Sequence, residues 1–262
     1  MNRKMAVVFA GAVVSGMLAP NWSQAAGSIQ GTVVYEGAIP PPKAFLLSKF
    51  PNTEFCRKND KTTLDGKERL LTKVEVGKGG GLQGAVVAVR DITDVEWMKA
   101  KPQTGVRAER CEWHPATGIV VNRGAMRIEN HDADPTDPKA ATGVLHNPHA
   151  FEVLGPSSTT LFNVGLAQKG DATTKTLILR KEKRGGVVRL QCDQHEFMQA
   201  WFLPVTNPLH AATDADGGFE IKAIPAGMHT VAAWHPVLGL IERKVEVKDD
   251  EVAIVQFELG AK

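Results

Sequence analysis

Leu190-Gln191-Cys192-Asp193-Gln194-His195-Glu196-Phe197-Met198 lies where one apolar run, Val187–Gln191, gives way to another, Ala200–Val205. Both runs are short and rich in β-branched, aromatic and aliphatic residues, which reads as two strands joined by a loop. The same signature recurs on either side. Ile29–Tyr35, Ala85–Val89, Gly118–Val121, Met126–Glu129 and Thr176–Leu179 precede it; Phe219–Ile221, His229–Trp234, Lys244–Val247 and Val252–Phe257 follow. Gly, Pro, Asn or Asp separates most of them. Helical periodicity is weak, with one short helix expected near Asp94–Ala100. The chain is therefore expected to be all-β, folded as sandwiches or barrels.

Of the 262 residues, 43% are hydrophobic and 23% charged, an ordinary globular composition. A net charge of +2 excludes the strongly basic footprint of a sequence-blind nucleic-acid binder. Residues 1–25 read as an export signal: Arg3 and Lys4, then an apolar run from Met5 to Leu18, then Ser23-Gln24-Ala25 with small residues at the cleavage positions. The apolar run is too short to span a bilayer comfortably, and no other segment is long and apolar enough. Loss of Arg3 and Lys4 would balance the 31 basic against the 29 acidic residues. A soluble protein of a bacterial periplasm, or a secreted one, is expected.

Disulfides persist in that compartment, and three cysteines leave one over from any single bridge. Cys56 and Cys111 sit in polar surroundings and are expected to pair. Cys192 remains as a thiolate with a role. With His195 and Met198 it forms Cys-x₂-His-x₂-Met on one loop. A thiolate, an imidazole and a thioether make a soft ligand set. Zinc has little use for a thioether, and Mg or Ca prefers oxygen. One Cys, two His and a weak axial Met is the type 1 copper arrangement. The second His must come from elsewhere, and Leu145-His146-Asn147-Pro148-His149-Ala150-Phe151 offers two, His146 and His149. Strand alternation points His149 away from any side shared with His146.

These residues resemble the cupredoxin family, most closely its plastocyanin- and amicyanin-like branch. That family has a His-Asn pair after an early strand and a Cys-x₂-His-x₂₋₄-Met loop between its last two strands. The resemblance implies a Greek-key β-sandwich with His146, Cys192, His195 and Met198 as copper ligands and His149 as the alternative to His146. It implies that the backbone N–H of Asn147 points at the Cys192 sulfur, since Pro148 has none to offer. It also implies a solvent-facing His195 edge for electron passage, with Phe197 and Trp201 near a docking patch. The chain departs from the family after Asn130-His131-Asp132, where Ala133–Leu145 is inserted.

A second resemblance frames the first. Gly27-x-Ile29-x-Gly31-x-Val33, then Ala85-Val86-Val87-x-Val89, then Thr213-Asp214-x-Asp216-Gly217-x-Phe219 through Trp234-His235 is similar to the carboxypeptidase regulatory-like, transthyretin-like sandwich. Here about 120 residues intervene between Val89 and Thr213. The implied organisation is a discontinuous small sandwich, residues 27–103 with 207–262, holding a cupredoxin domain at 104–206. The whole resembles exported plastocyanin-like or methylamine-utilisation-like proteins.

The expected function is single-electron transfer through one mononuclear type 1 copper, between partners such as a c-type cytochrome or a dehydrogenase. With all four positions filled by protein, no open site is left for substrate, so an enzyme is not expected. The rivals are a copper chaperone or scavenger without redox cycling, and a metal-free structural or interaction module. His114, His131, His210 and His229 carry no partner pattern, Trp234-His235-Pro236 reads as packing, and Asp214 with Asp216 reads as a turn.

Overall fold

A computed structural model describes residues 26–260; the export signal expected over residues 1–25 lies outside them. Among the described residues, no helix is long and apolar enough to cross a membrane. In chain order the strands are β1 (Ala26–Glu36), β2 (Lys43–Leu46), β3 (Glu68–Leu71), β4 (Val86–Val89), β5 (Gln103–Ala108), β6 (Trp113–His114), β7 (Thr117–Val120), β8 (Ala125–Asn130) and β9 (Pro148–Leu154). Then come β10 (Ser157–Asn163), β11 (Ala172–Thr176), β12 (Val187–Cys192), β13 (Gln199–Pro204), β14 (His210–Ala212), β15 (Gly218–Pro225), β16 (Gly227–His235), β17 (Gly239–Val247) and β18 (Val252–Gly260). Two short α-helices, α1 (Thr53–Cys56) and α2 (Val95–Lys99), and single 3-10 turns at Leu47–Lys49, Lys78–Gly80 and Glu182–Arg184 complete the regular structure of the described residues. The protein is all-β. The helix expected near Asp94 is α2, and the Asp94 carboxylate caps it by accepting the Trp97 N–H at 2.9 Å.

Two sandwiches form. In the first, a five-stranded sheet ordered β10-β9-β12-β13-β7 faces a four-stranded sheet ordered β11-β8-β5-β6. Alternation decides their inner faces. Val188, Leu190 and Cys192 of β12 are buried while Val187, Arg189 and Gln191 are less so. Leu190 and Phe202 from one sheet meet Val106, Trp113 and Ile128 from the other in one core. Fully burying a side chain such as Leu190 contributes roughly 1.5–3 kcal/mol. In the second sandwich, a sheet ordered β15-β1-β18 packs on one ordered β14-β4-β16-β17. Ile29, Val33, Phe219 and Phe257 face Val87, Val231 and Val245 there.

β4 is buried along its whole length. Val87 and Val89 serve the second core, whereas Val86 and Ala88 join Leu203, Val205 and Trp234 in a cluster shared with the first sandwich. A strand covered on both faces carries no polar alternation, which explains the unbroken Ala85–Val89 run. β1 is held tightly between two partners; a Cβ on Gly31 would lie 1.8 Å from the Val255 carbonyl oxygen.

Two expectations need adjustment. The strand expected at Thr176–Leu179 lies earlier, at Ala172–Thr176, where it pairs with β8 along the sheet edge. Its exposed threonines suit an edge, while Leu177 and Leu179 turn inward after the strand ends. Residues 43–71, grouped by sequence with the second sandwich, instead lie over the first. Phe45, Leu47 and Cys56 belong to the core of the first sandwich. This segment forms a cap made of β2, α1 and β3.

Candidate metal centre

Cys192 is the last residue of β12, opposite Pro148 of β9. Beyond it the loop closes on itself: His195 N–H donates to Cys192 O at 3.2 Å, Met198 N–H to His195 O at 2.8 Å, and Cys192 N–H to Met198 O at 3.1 Å. These bonds fold the Cys-x₂-His-x₂-Met segment into a compact turn before β13. His146 precedes β9 and is fixed by two backbone bonds with Leu166, at 3.0 and 2.8 Å. Asn147 ties the two stretches together. Its N–H points at Cys192 Sγ from 3.3 Å, and its carbonyl accepts the Asp193 N–H at 3.0 Å.

The side chains converge. Cys192 Sγ lies 3.8 Å from His146 Nδ1 and 3.7 Å from His195 Nδ1. All three residues are fully buried. Met198, at 1% exposure, lies in the same core. Cys192 is the free cysteine; Cys56 and Cys111 are joined in a disulfide with a Cα–Cα distance of 5.4 Å. His149 does not join the group. It sits on the outer face of β9, with Nδ1 3.0 Å from Asp193 Oδ2 and Nε2 3.0 Å from the Thr160 hydroxyl.

The donor set suits a soft ion. For a first-row metal, bonds of about 2.3 Å to sulfur and 2.0 Å to nitrogen at a near-trigonal angle span roughly 3.8 Å between the two donors. The two S···N separations match that span. The electrostatics agree. Burial raises the Cys192 thiol, but the imidazoles of His146 and His195 outweigh it and bring the thiol down to about 6. Burial lowers His146, yet Asp132 and Cys192 raise it overall. A thiolate is thus available for an ion. Cys56 and Cys111 sulfurs lie within 4.8 Å of a His195 ring nitrogen, but as a disulfide they do not ligate.

His195 is not the solvent-facing edge expected from sequence. The cap covers it: His195 Nε2 donates to the Pro51 carbonyl at 3.1 Å, and Phe197, 4% exposed, packs between the His195 ring and the rings of Phe45 and Phe50. Phe197 is core, and Trp201 is half-buried. Two residues that hydrogen-bond the candidate imidazole rings escaped the sequence reading. One is Pro51. The other is Asp132, whose Oδ2 lies 2.8 Å from His146 Nε2. Burial raises the Asp132 carboxyl, but His146 and the N–H groups of Arg110 and Cys111 bring it below its ordinary value. In the sequence, Asn130-His131-Asp132 only marks where the chain departs from the family pattern, without indicating that the carboxylate turns inward.

The remaining histidines stand apart from this group. His131 meets Glu129, His229 meets Asp91 and the Pro225 carbonyl, and His235 accepts the Val237 N–H. Asp214 Oδ1 accepts from Asp216 N–H and Gly218 N–H, which makes it the expected turn.

No family model matches the chain, and no curated protein matches it. Solved structures give partial likenesses. A copper-containing nitrite reductase from Thermus scotoductus SA-01 is 17% identical over 41% of this chain, with a TM-score of 0.29. The chain spans only 23% of that enzyme. A reduced amicyanin variant is 16% identical over 47% of this chain and all of its own, with a TM-score of 0.29. A purple cupredoxin from Nitrosopumilus maritimus is 14% identical, covering 39% of this chain and 99% of its own, again at 0.29.

Proposed function

We propose that the protein binds one copper ion through His146, Cys192, His195 and Met198 and carries single electrons between redox proteins of the bacterial periplasm. A c-type cytochrome or a dehydrogenase is the class of partner that such a carrier serves. The observation that supports this most is the buried sulfur of Cys192, flanked by two imidazole Nδ1 atoms at 3.8 and 3.7 Å and with an amide N–H on it at 3.3 Å. Bound there, copper would supply a Cu(II)/Cu(I) couple. The protein's part is to prevent rearrangement. The β12–β13 turn and the His146–Leu166 bridge hold the donors before any ion arrives, and burial excludes water. The Asn147 N–H withdraws charge from the sulfur and so tunes the potential. With four positions taken by protein, the site is that of a carrier and not of a catalyst.

Addition of Cu(II) to the purified protein tests the reading. An intense visible band with narrow copper hyperfine splitting is expected, and Cys192→Ser abolishes it. A colourless product overturns the blue-copper form.

The sealed His195 edge favours one alternative, a copper-holding protein without redox cycling. A colourless Cu(I) complex that exchanges readily with chelators would support it.

A further inference from the structure

The Asp132 carboxylate is surrounded by donors. Arg110 N–H donates to Oδ1 at 2.5 Å and Cys111 N–H to Oδ2 at 2.8 Å, while His146 Nε2 lies 2.8 Å from that same Oδ2. Asp132 is 2% exposed and His146 is fully buried, so bulk water is kept away. An ionised carboxylate only accepts, through either oxygen, and a backbone N–H only donates. The proton between His146 and Asp132 therefore belongs to Nε2. In the neutral ring this leaves Nδ1 bare, and Nδ1 is the atom that faces Cys192 Sγ.

We propose that Asp132 is a positioning residue for His146: it holds the proton on Nε2, fixes the ring plane and presents Nδ1 as a ligand atom. The inference rests on the reading of His146 as a copper ligand and names what sets that ligand's strength. Negative charge behind an imidazole makes it a stronger donor, and the added electron density favours the more highly charged Cu(II) over Cu(I). An amide cannot substitute. With its oxygen in the Oδ2 position, Asn would turn its NH₂ against Arg110 N–H. With its oxygen in the Oδ1 position, the NH₂ would meet Cys111 N–H and drive the His146 proton to Nδ1, onto the ligand atom. The Oδ2 atom is also tied into the fold, because Cys111 N–H belongs to one half of the Cys56–Cys111 bridge.

The experiment compares the wild type with Asp132→Asn by copper competition, by reduction potential, and by ¹⁵N shifts of the His146 ring in the metal-free protein. Cu(II) binding is expected to weaken about 10- to 100-fold. The potential is expected to rise, by about 59 mV for each tenfold loss confined to Cu(II). In the metal-free wild type, Nε2 is expected to stay protonated whether the ring is neutral or charged. A wild-type neutral ring protonated on Nδ1 alone overturns the proposal, and so does a folded variant whose affinity and potential equal those of the wild type. If the variant does not fold, the wild-type ¹⁵N spectrum decides the matter. If the wild type takes up no copper, the copper reading fails while the same spectrum still judges the role of Asp132.

Discussion

The carbonyl of Pro51 accepts the Nε2 proton of His195 at 3.1 Å, while Nδ1 of the same ring faces Cys192. Pro51 lies in the cap, five residues before Cys56, and Cys56 is bonded to Cys111 on the β5–β6 connection. Both candidate imidazoles are thus held from behind by groups gathered around one disulfide, His195 through Pro51 and His146 through Asp132.

The cap should accordingly slow the passage of metal. In a Cys56→Ser/Cys111→Ser variant, a chelator should strip copper faster than from the wild type, measured as loss of the visible band. The cross-link closes a separation of 55 residues. Chain-entropy arguments put its removal at about 4 kcal/mol, read as a lower denaturation midpoint. An unchanged stripping rate in a folded variant would show that the cap is not a barrier.

The two histidines that bracket Asn147-Pro148 should separate cleanly. His146→Ala is expected to abolish the blue band, because the ring nearest Cys192 on that side is lost. His149→Ala is expected to leave it intact, since that ring is engaged with Asp193 and Thr160 on the outer face. The opposite pattern in absorption titrations would exchange their roles.

Met198→Leu should keep the colour and raise the potential, measured by cyclic voltammetry. The leucine fills a similar buried volume but offers no sulfur lone pair, so Cu(II) loses more than Cu(I). A potential that falls, or a variant that binds no copper, would remove Met198 from the axial role.

His235 gives the stability a pH dependence. Burial lowers it to about 4, against an ordinary value of 6.5. The folded state then binds fewer protons than the unfolded chain between those values. Stability from this group is complete above about 6.5 and declines as the pH falls toward 4, by up to about 3 kcal/mol. His235→Asn retains an acceptor for the Val237 N–H and should flatten that part of the curve. Urea denaturation of both proteins at pH 7.5 and pH 4.5 checks it: an equal loss in both would exclude His235 as the source.

Much of the candidate centre was legible because most of its donor residues are local. Cys192, His195 and Met198 lie on one turn, and the strands that flank it carry plain alternation. The Cys56–Cys111 pairing was legible because Cys192 alone lies among nitrogen and sulfur ligands, which leaves the other two for a bridge. The cap was not, because its pieces are too short to establish periodicity. β2 and β3 have four residues each, and α1 is a single turn behind Asn52, whose φ of 51° is left-handed and whose side chain makes no capping bond. Nothing local says that such a segment will fold back over His195. Asp132 was hidden for a related reason. An acidic residue in a Pro- and Asp-rich stretch reads as solvated, and its burial depends on donors more than ten residues away in sequence. β11 was misplaced because pattern reading follows buried leucines, whereas an exposed edge needs only threonine's preference for extended backbone.

The parallel pairing of β1 with β18, from Ser28↔Val252 to Glu36↔Gly260, sets an order of events during synthesis. β1 leaves the ribosome early, yet its two neighbours, β15 and β18, are made some 180 to 220 residues later. At ordinary translation speeds that delay is on the order of 10 s or more. Through that interval the strands of the first sandwich have all emerged and can pair among themselves, while β1 waits with two open edges. A nascent chain halted before Gly218 would therefore hold the strands that bring His146, Cys192 and His195 together, beside a β1 whose two neighbours have yet to be made.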